Sequence, residues 1–245
     1  FFVGSEIGEL FKTEVEQVQE KGVWVPKKRE LFEDPARLKG TRLWPLSVRW
    51  HLSASLAAAM NGYAPSSVKT VAIGAGSLGS QIANNLWRGG FGEWTLVDND
   101  DLEPHNPARH LLNADALGHK KAHALSATMQ SVFPDRGAPP WISCDYLAPG
   151  EDESKLIAAL KGAELILDFS ASVTVERRLA RDQRSSARRM TAFLNQRGDE
   201  SVLLVEDGGR KINLFWLEAE YLRAVAFDAK LTGHFADVGV VAHRY

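Results

Sequence analysis

Residues 69–100, KTVAIGAGSLGSQIANNLWRGGFGEWTLVDND, decide the fold. The first five form a short apolar run that reads as a strand, 77–88 read as a helix, and 94–97 read as a second strand. A strand, a helix and a strand in that order make a βαβ unit, whose two strands lie parallel in one sheet. The junction of the first strand with the helix carries Gly74-Ala75-Gly76-Ser77-Leu78-Gly79, a G-x-G-x-x-G run in the context it requires. Gly74 permits a tight turn, Gly76 lets phosphates approach the backbone, and Gly79 lets the helix pack closely on the sheet, with the helix N-terminus facing the anion. Asp98 ends the second strand, where a carboxylate can accept from both ribose hydroxyls. These residues alone fit NAD, FAD, S-adenosylmethionine or ATP.

Upstream, residues 1–65 read as an N-terminal extension or linker with some helix, because charged amphipathic pieces such as 11–21 alternate with Pro26, Pro35, Gly40 and Pro45. A firmer helix is expected after Ser47, with Val48, Leu52, Leu56 and Ala59 on its buried face and its end at Asn61-Gly62. The loop 63–67 marks the boundary, so residues 66–245 are assigned to one α/β domain. A chain that starts at Phe1 is expected to be part of a longer polypeptide.

Downstream of Asp98 the chain reads Asn99-Asp100-Asp101-Leu102-Glu103-Pro104-His105-Asn106-Pro107-Ala108-Arg109, and then Gly118-His119-Lys120-Lys121-Ala122. An ordinary dinucleotide domain carries no such cluster of polar groups after its second strand. Over about 68–178 the sequence resembles the ThiF, MoeB and HesA proteins and the adenylation domains of ubiquitin-activating enzymes. The likeness rests on G-x-G-x-x-G, a D-x-D strand end, N-x-x-R and G-x-x-K in that order, with Gly90-Phe91-Gly92 similar to the family's turn before the second strand.

That resemblance implies a Rossmann-like, doubly wound, mostly parallel sheet that binds ATP with Mg²⁺ and adenylates a carboxylate. Gly74, Gly76, Ser77, Leu78 and Gly79 would cradle the phosphates and Asp98 would hold the ribose. Asp100 would make a second polar contact, Asn106 and Arg109 would grip the phosphates, and Lys121 would neutralise developing charge. The chemistry needs such groups, since attack on the α-phosphate accumulates negative charge that cations must already face. A guanidinium can contact two oxygens at once, whereas lysine serves as a point charge. His105 reads as a loop histidine without a catalytic role.

One position departs from the pattern. Residues 165–172 read as an apolar strand that opens into a loop at Asp168, where the family has D-x-T-D-N and its second aspartate helps to hold Mg²⁺. That second position is Ala171 here, which leaves Asp168, together with Asp100 or a water network, to manage the metal, because Mg²⁺ prefers carboxylates, with Asp168 the expected protein ligand. Cys144, the one cysteine, precedes Asp168 at the end of an expected strand 141–144 and reads as a buried thiol, so the family's acyl-accepting cysteine is not found in these residues. Arg177, Arg178, Arg181, Arg184, Arg188 and Arg189 fall in a stretch expected to be helical, with Val175, Leu179 and Ala187 inside and the arginines solvated or paired with Asp182 and Glu176. Ser201–Val205 and 211–214 read as a C-terminal hairpin turning at Glu206-Asp207-Gly208-Gly209, with 216–227 packing over it.

A net charge of −2 asks for no nucleic-acid partner. The greasy stretches 52–60 and 214–227 are too short or too interrupted to span a bilayer, so a cytoplasmic location is the expectation. The expected substrate is the C-terminal carboxylate of a ubiquitin-like or sulfur-carrier protein, with an E2-like or sulfurtransferase partner, a homodimeric state, and a bacterial conjugation-like or antiviral setting. Arg49 is a candidate to reach into a second subunit's site. A nucleotide-binding scaffold without turnover would explain Ala171, and an NAD-dependent oxidoreductase would share the glycines but leave Asn106, Arg109 and Lys121 unexplained.

Overall fold

The computed structural model describes residues 52–231 and 233–235, together with the main chain of 15–18 and 23–26. The chain divides into two compact units, Phe1–Trp50 and His51–Tyr245. In the first, β1 (Val15–Val18) and β2 (Val23–Pro26) form an antiparallel pair. Residues 15–18, inside the amphipathic piece 11–21, are therefore strand. Valines at 15, 18, 23 and 25 are β-branched, and χ1 restriction favours strand over helix. Arg49 and the expected helical residues 48–51 lie outside the described residues.

The second unit is built on a six-stranded sheet. Its strands are β3 (Lys69–Ile73), β4 (Glu93–Val97), β5 (Trp141–Ile142), β6 (Leu165–Asp168), β7 (Arg188–Leu194) and β8 (Ser201–Val205), in the spatial order β5-β4-β3-β6-β7-β8. Every pairing is parallel except β7 with β8. The chain leaves β3 toward β4 and β5, then returns to place β6 on the other flank of β3. That reversal is the topological switch at which open α/β sheets bind ligands, outside the carboxyl ends of their strands.

Helices α1 (Ala54–Met60), α2 (Ser77–Arg88) and α3 (Lys121–Val132) cover one face. Helices α4 (Glu153–Gly162), α5 (Val173–Arg181) and α6 (Leu214–Phe227) cover the other. Strand alternation shares β3 between the two cores: Ala72 joins Leu125, Met129 and Trp87, whereas Val71 and Ile73 join Leu156, Leu160 and Leu179. The doubly wound, mostly parallel architecture read from the sequence is therefore present.

Several local readings change. The helix before the sheet starts at Ala54, with Ser53 as N-cap accepting from Leu56 N at 3.2 Å, and it buries Ala57 and Ala58, leaving Leu52 and Leu56 exposed. Small residues face inward because α1 runs against Gly90, where an added Cβ would stand 2.0 Å from Ala54 O. Strand β5 stops at Ile142, two residues short of Cys144.

The C-terminal hairpin is shifted by one element. It joins β7 to β8 through 195–200, and 211–213 lead into α6 instead of forming a strand. The Asp207 carboxylate accepts from Gly209 N (3.0 Å) and Ile212 N (2.7 Å), and Asn213 caps α6 by accepting from Trp216 N. Side chains therefore claim the backbone groups that a hairpin would have paired. Helix α5 correspondingly ends at Arg181, and Ala187 is buried just ahead of β7 instead of lying on a helix. Arg184 pairs with Asp182 as expected, but Arg177 forks onto Glu218 and not onto Glu176.

Candidate functional site

A cleft of about 1220 Å³ opens at the carboxyl ends of β3, β4, β6 and β7. Gly74, Gly76, Ser77, Leu78, Asp98, Asp100, Asn106, Arg109 and Lys121 all line it. Gly79 lies beneath, in contact with the glycine loop. A Cβ there would stand 2.1 Å from Gly74 O and 2.9 Å from Phe169 Cβ, so only glycine lets α2 sit this close. At Gly76 a Cβ would meet nothing within 4 Å; the open space is the cleft itself. Gly76 is also the N-cap of α2 and has no side-chain cap, so the first-turn amides and the positive end of the helix dipole are left for an anion.

Asp98 fixes the loop from the β4 side. Its Oδ2 accepts from Ala75 N at 2.6 Å and its Oδ1 from Asp100 N at 2.8 Å. Burial pushes its carboxyl above the ordinary range, against the pull of those two N–H bonds. A carboxylate has about four lone-pair sites, so capacity for ribose hydroxyls remains.

The Asn106–Ala108 turn packs over the glycine loop. Asn106 Oδ1 accepts from Glu103 N at 2.8 Å, and its carbonyl accepts from Arg109 N and His110 N. The Arg109 side chain is exposed in the cleft, while its carbonyl accepts from Ser77 Oγ at 2.8 Å. His110, which the sequence reading did not single out, is buried with Nε2 2.5 Å from Ala75 O and Nδ1 accepting from Leu112 N at 3.0 Å. A histidine directly after an N-x-x-R element was the available signal.

The two adjacent lysines diverge. Lys120 forms an isolated antiparallel bridge with Asp101, and its Nζ reaches Asn99 O at 2.8 Å and Asp101 at 3.0 Å, on a side chain that is 42% exposed. Lys121 opens α3 with a side chain only 10% exposed, lines the cleft, and places Nζ 2.9 Å from Asp100 Oδ2. Adjacent helical side chains project about 100° apart, so one of the two faces the cleft.

Asp168 ends β6 at 1% exposure. One oxygen accepts from Ser170 N (2.9 Å) and the other from Thr191 Oγ1 (3.2 Å). It does not line the cleft, and burial pushes its carboxyl upward. Ala171 does line the cleft, with φ 54°, a left-handed conformation that Asn and Asp adopt more readily than Ala. Among the described residues, no group of three His, Cys, Asp or Glu side chains could hold a metal. Cys144 lines the cleft from a buried position, and burial raises its thiol to about 11, with Asp152 and Asp145 adding to the shift; at neutral pH it is a protonated, unreactive thiol. No helix among the described residues is long and apolar enough to cross a membrane.

A doubly wound sheet, an uncapped glycine-loop helix and a cleft holding Arg109 and Lys121 define a nucleotide-binding α/β domain. Residues 63–180 match the ThiF family, so this segment is homologous to the E1-like adenylyltransferases. The chain is 38% identical over 114 residues to the ATP-dependent ubiquitin transferase-like protein Cap2 of Enterobacter hormaechei, a match covering 46% of this chain and 18% of that protein. It is 29% identical over 105 residues to the SAMP-activating enzyme E1 of Haloferax volcanii, covering 42% of this chain and 37% of that enzyme. A crystal structure of E. coli MccB with AMPCPP and MccA aligns with a TM-score of 0.47 at 19% identity, covering 56% of this chain and 40% of that one. The chain thus spans well under half the length of these relatives.

Proposed function

We propose that this domain binds ATP and adenylates the C-terminal carboxylate of a ubiquitin-like or sulfur-carrier protein. The observation that carries the proposal is the convergence of Arg109, Lys121 and the uncapped N-terminus of α2 on one cleft, with Lys120 turned away. Two cations and a helix dipole facing one space suit a polyphosphate whose charge grows during reaction. The nicotinamide reading gives Arg109 and Lys121 no task.

In the proposed reaction a carboxylate oxygen attacks the α-phosphorus of ATP, the bond from that phosphorus to the bridging oxygen of pyrophosphate breaks, and the products are an acyl adenylate and pyrophosphate. The amides at Gly76 to Leu78 hold the phosphates, Asp98 holds the ribose, and Asn106 and Arg109 orient the phosphoryl oxygens. Lys121, held near Asp100 before ATP enters, swings its ammonium to the growing charge. Mg²⁺ would enter with the nucleotide, because that ion is ordinarily bound through one or two carboxylates plus substrate phosphates. Asp168 is the proposed protein carboxylate, and its bonds to Ser170 and Thr191 would have to rearrange for direct coordination. The acyl group then passes to a thiol outside Cys144, on an E2-like or sulfurtransferase partner. A homodimer is part of the same proposal; exposed Trp216 and Phe227 on α6 supply apolar side chains for a second copy.

Ala171 favours a second reading, a nucleotide-binding scaffold without turnover, since the cleft lacks a carboxylate at that left-handed position. Calorimetry with ATP and Mg²⁺, with ATP and a chelator, and with NAD⁺ tests the nucleotide assignment. Binding of ATP with Mg²⁺ well above NAD⁺ is the expected result, and an equal or reversed preference contradicts it. ATP binding without pyrophosphate exchange for any carboxyl substrate would support the scaffold.

A further inference from the structure

The phosphate site has two walls, the glycine loop on β3 and the Asn106–Ala108 turn with Arg109 after β4. Residues 31 to 35 positions apart in the chain must hold a fixed spacing if both walls are to touch one triphosphate. Three bonds join them. Ser77 Oγ donates to Arg109 O, Leu111 N donates to Ser80 Oγ, and between these His110 Nε2 meets Ala75 O. The first two hold the outer edge and the helix side of the loop. The histidine bond alone reaches the carbonyl of Ala75, the residue whose N–H is already fixed by Asp98.

The tautomer follows from the partners. Leu112 N–H donates to Nδ1, so Nδ1 carries a lone pair, and the proton must sit on Nε2 to be given to the Ala75 carbonyl. Ala75 is thereby gripped at both of its backbone groups, its N–H by Asp98 and its C=O by His110, and because that C=O shares a peptide plane with the Gly76 N–H, the histidine bond sets where the Gly76 amide points. We propose that His110 is a positioning residue of the phosphate site, coupling the glycine loop to the Arg109 turn through its neutral Nε2–H tautomer. This inference rests on the nucleotide reading above and assigns the histidine no contact with substrate.

Two features favour the neutral ring and one opposes it. Burial lowers its basicity, the Lys121 ammonium on α3 lowers it further, and the Ala75 carbonyl opposes both. The charged groups around it are Lys121 on α3, Asp98 at the end of β4 on the far side of the Ala75 peptide, and the adjoining Arg109. Protonation would set an Nδ1–H against the Leu112 N–H and break one of the two bonds that fix the ring. Acidification therefore keeps the Nε2–H bond to Ala75 but releases the ring from Leu112, so the coupling loosens as pH falls below the ordinary imidazole value.

The test uses the full chain with His110→Gln and His110→Phe, and reads ATP affinity with Mg²⁺ by calorimetry and folding by thermal unfolding. Glutamine offers one donor and one acceptor without titrating, whereas phenylalanine keeps the bulk and removes both. At pH 8 the Gln variant is expected within about threefold of wild type, and the Phe variant weakened by about tenfold or more, the size of one lost hydrogen bond in a binding site. Between pH 8 and pH 5 the ratio of wild-type to Gln affinity is expected to fall, a comparison in which the titration of ATP itself cancels. Nitrogen chemical shifts of the ring are expected to report the Nε2–H tautomer at neutral pH. A folded Phe variant that binds ATP like wild type, a flat affinity ratio, or the Nδ1–H tautomer would each overturn the proposal and leave the nucleotide reading intact. Failure of the wild type to bind ATP at all would overturn both.

Discussion

The sheet has two unlike halves. From β3 through β6 the interior is apolar, with Leu96, Leu125, Met129 and Ile166 nearly inaccessible, and the polar groups gather in the cleft. From α5 through α6 the interior carries charge beside apolar Leu179 and Leu214: Arg189 and Glu206 are 0% exposed, and Glu176, Asp182 and Glu218 are buried with them. Arg189 gives Nη2 hydrogens to the carbonyls of Asp182 and Ser185, and Glu206 accepts from Arg189 N, Leu214 N and Arg210 Nε. The first half puts its polar chemistry where a ligand can meet it. In the second, charged side chains organise the backbone that closes the sheet.

That contrast predicts its largest stability effect at Glu206. Replacing it by Ala orphans two buried backbone N–H groups and strands Arg210, which should cost roughly 3–5 kcal/mol, the range for breaking a buried charged network. Urea unfolding measures this, and a loss below about 1 kcal/mol would show that the charged half is not held together this way.

Glu176 sharpens the comparison by acting in the opposite direction. Its Oε1 has no partner among the described residues, and burial, then Glu218 and Asp168, raise its carboxyl from 4.5 to about 7. Below pH 4.5 both the folded and unfolded chains hold the proton, so the group is neutral to stability. Between pH 4.5 and 7 only the folded chain keeps it, so stability falls as pH rises, and above 7 the loss is complete. Glu176→Gln should therefore stabilise the protein by up to about 3 kcal/mol above pH 7, and by nearly nothing at pH 4. Thermal unfolding across that range checks the sign. A stabilisation independent of pH would contradict the buried, proton-holding carboxyl.

The smallest effect belongs to the ligand half. Arg109 is exposed and its backbone, not its side chain, binds Ser77, so Arg109→Ala should leave stability within about 0.5 kcal/mol of wild type. The same change should weaken ATP by roughly tenfold through loss of a charge-assisted contact. Loss of folding stability without loss of ATP affinity would reverse the roles given to this side chain.

The same division explains what could be read from the sequence. β3, α2, β4 and the glycine loop were legible because each is specified within a few residues, by apolar periodicity and by glycines whose positions a Cβ would block, as at Gly79. The family pattern then carried Asp98 to Lys121 into one cleft. β7 was not legible. Its Arg188 and Arg189 look like a solvated helix face, and only the distant carbonyls of Asp182 and Ser185, with Glu206 beyond the next strand, make a buried arginine tolerable in a strand. The hairpin was misplaced for the related reason that Asp207 and Asn213 use side chains to redirect the backbone. His110 escaped notice because its partners, Ala75 and Leu112, matter only once the two loops have met.

Pyrophosphate–ATP exchange measures the central claim most directly, with synthetic peptides ending in Gly-Gly as the carboxylate source, comparing Lys121→Ala with Lys120→Ala. Lys121 faces the cleft beside Asp100, whereas Lys120 is tied to Asn99 and Asp101 outside it. The account predicts that Lys121→Ala lowers exchange on the order of a hundredfold, by analogy with loss of an oxyanion donor, while ATP affinity changes by about threefold or less. Lys120→Ala should stay within about threefold of wild type, as expected for an exposed ion pair. Equal exchange by the two folded variants, or a defect confined to Lys120→Ala, would contradict it.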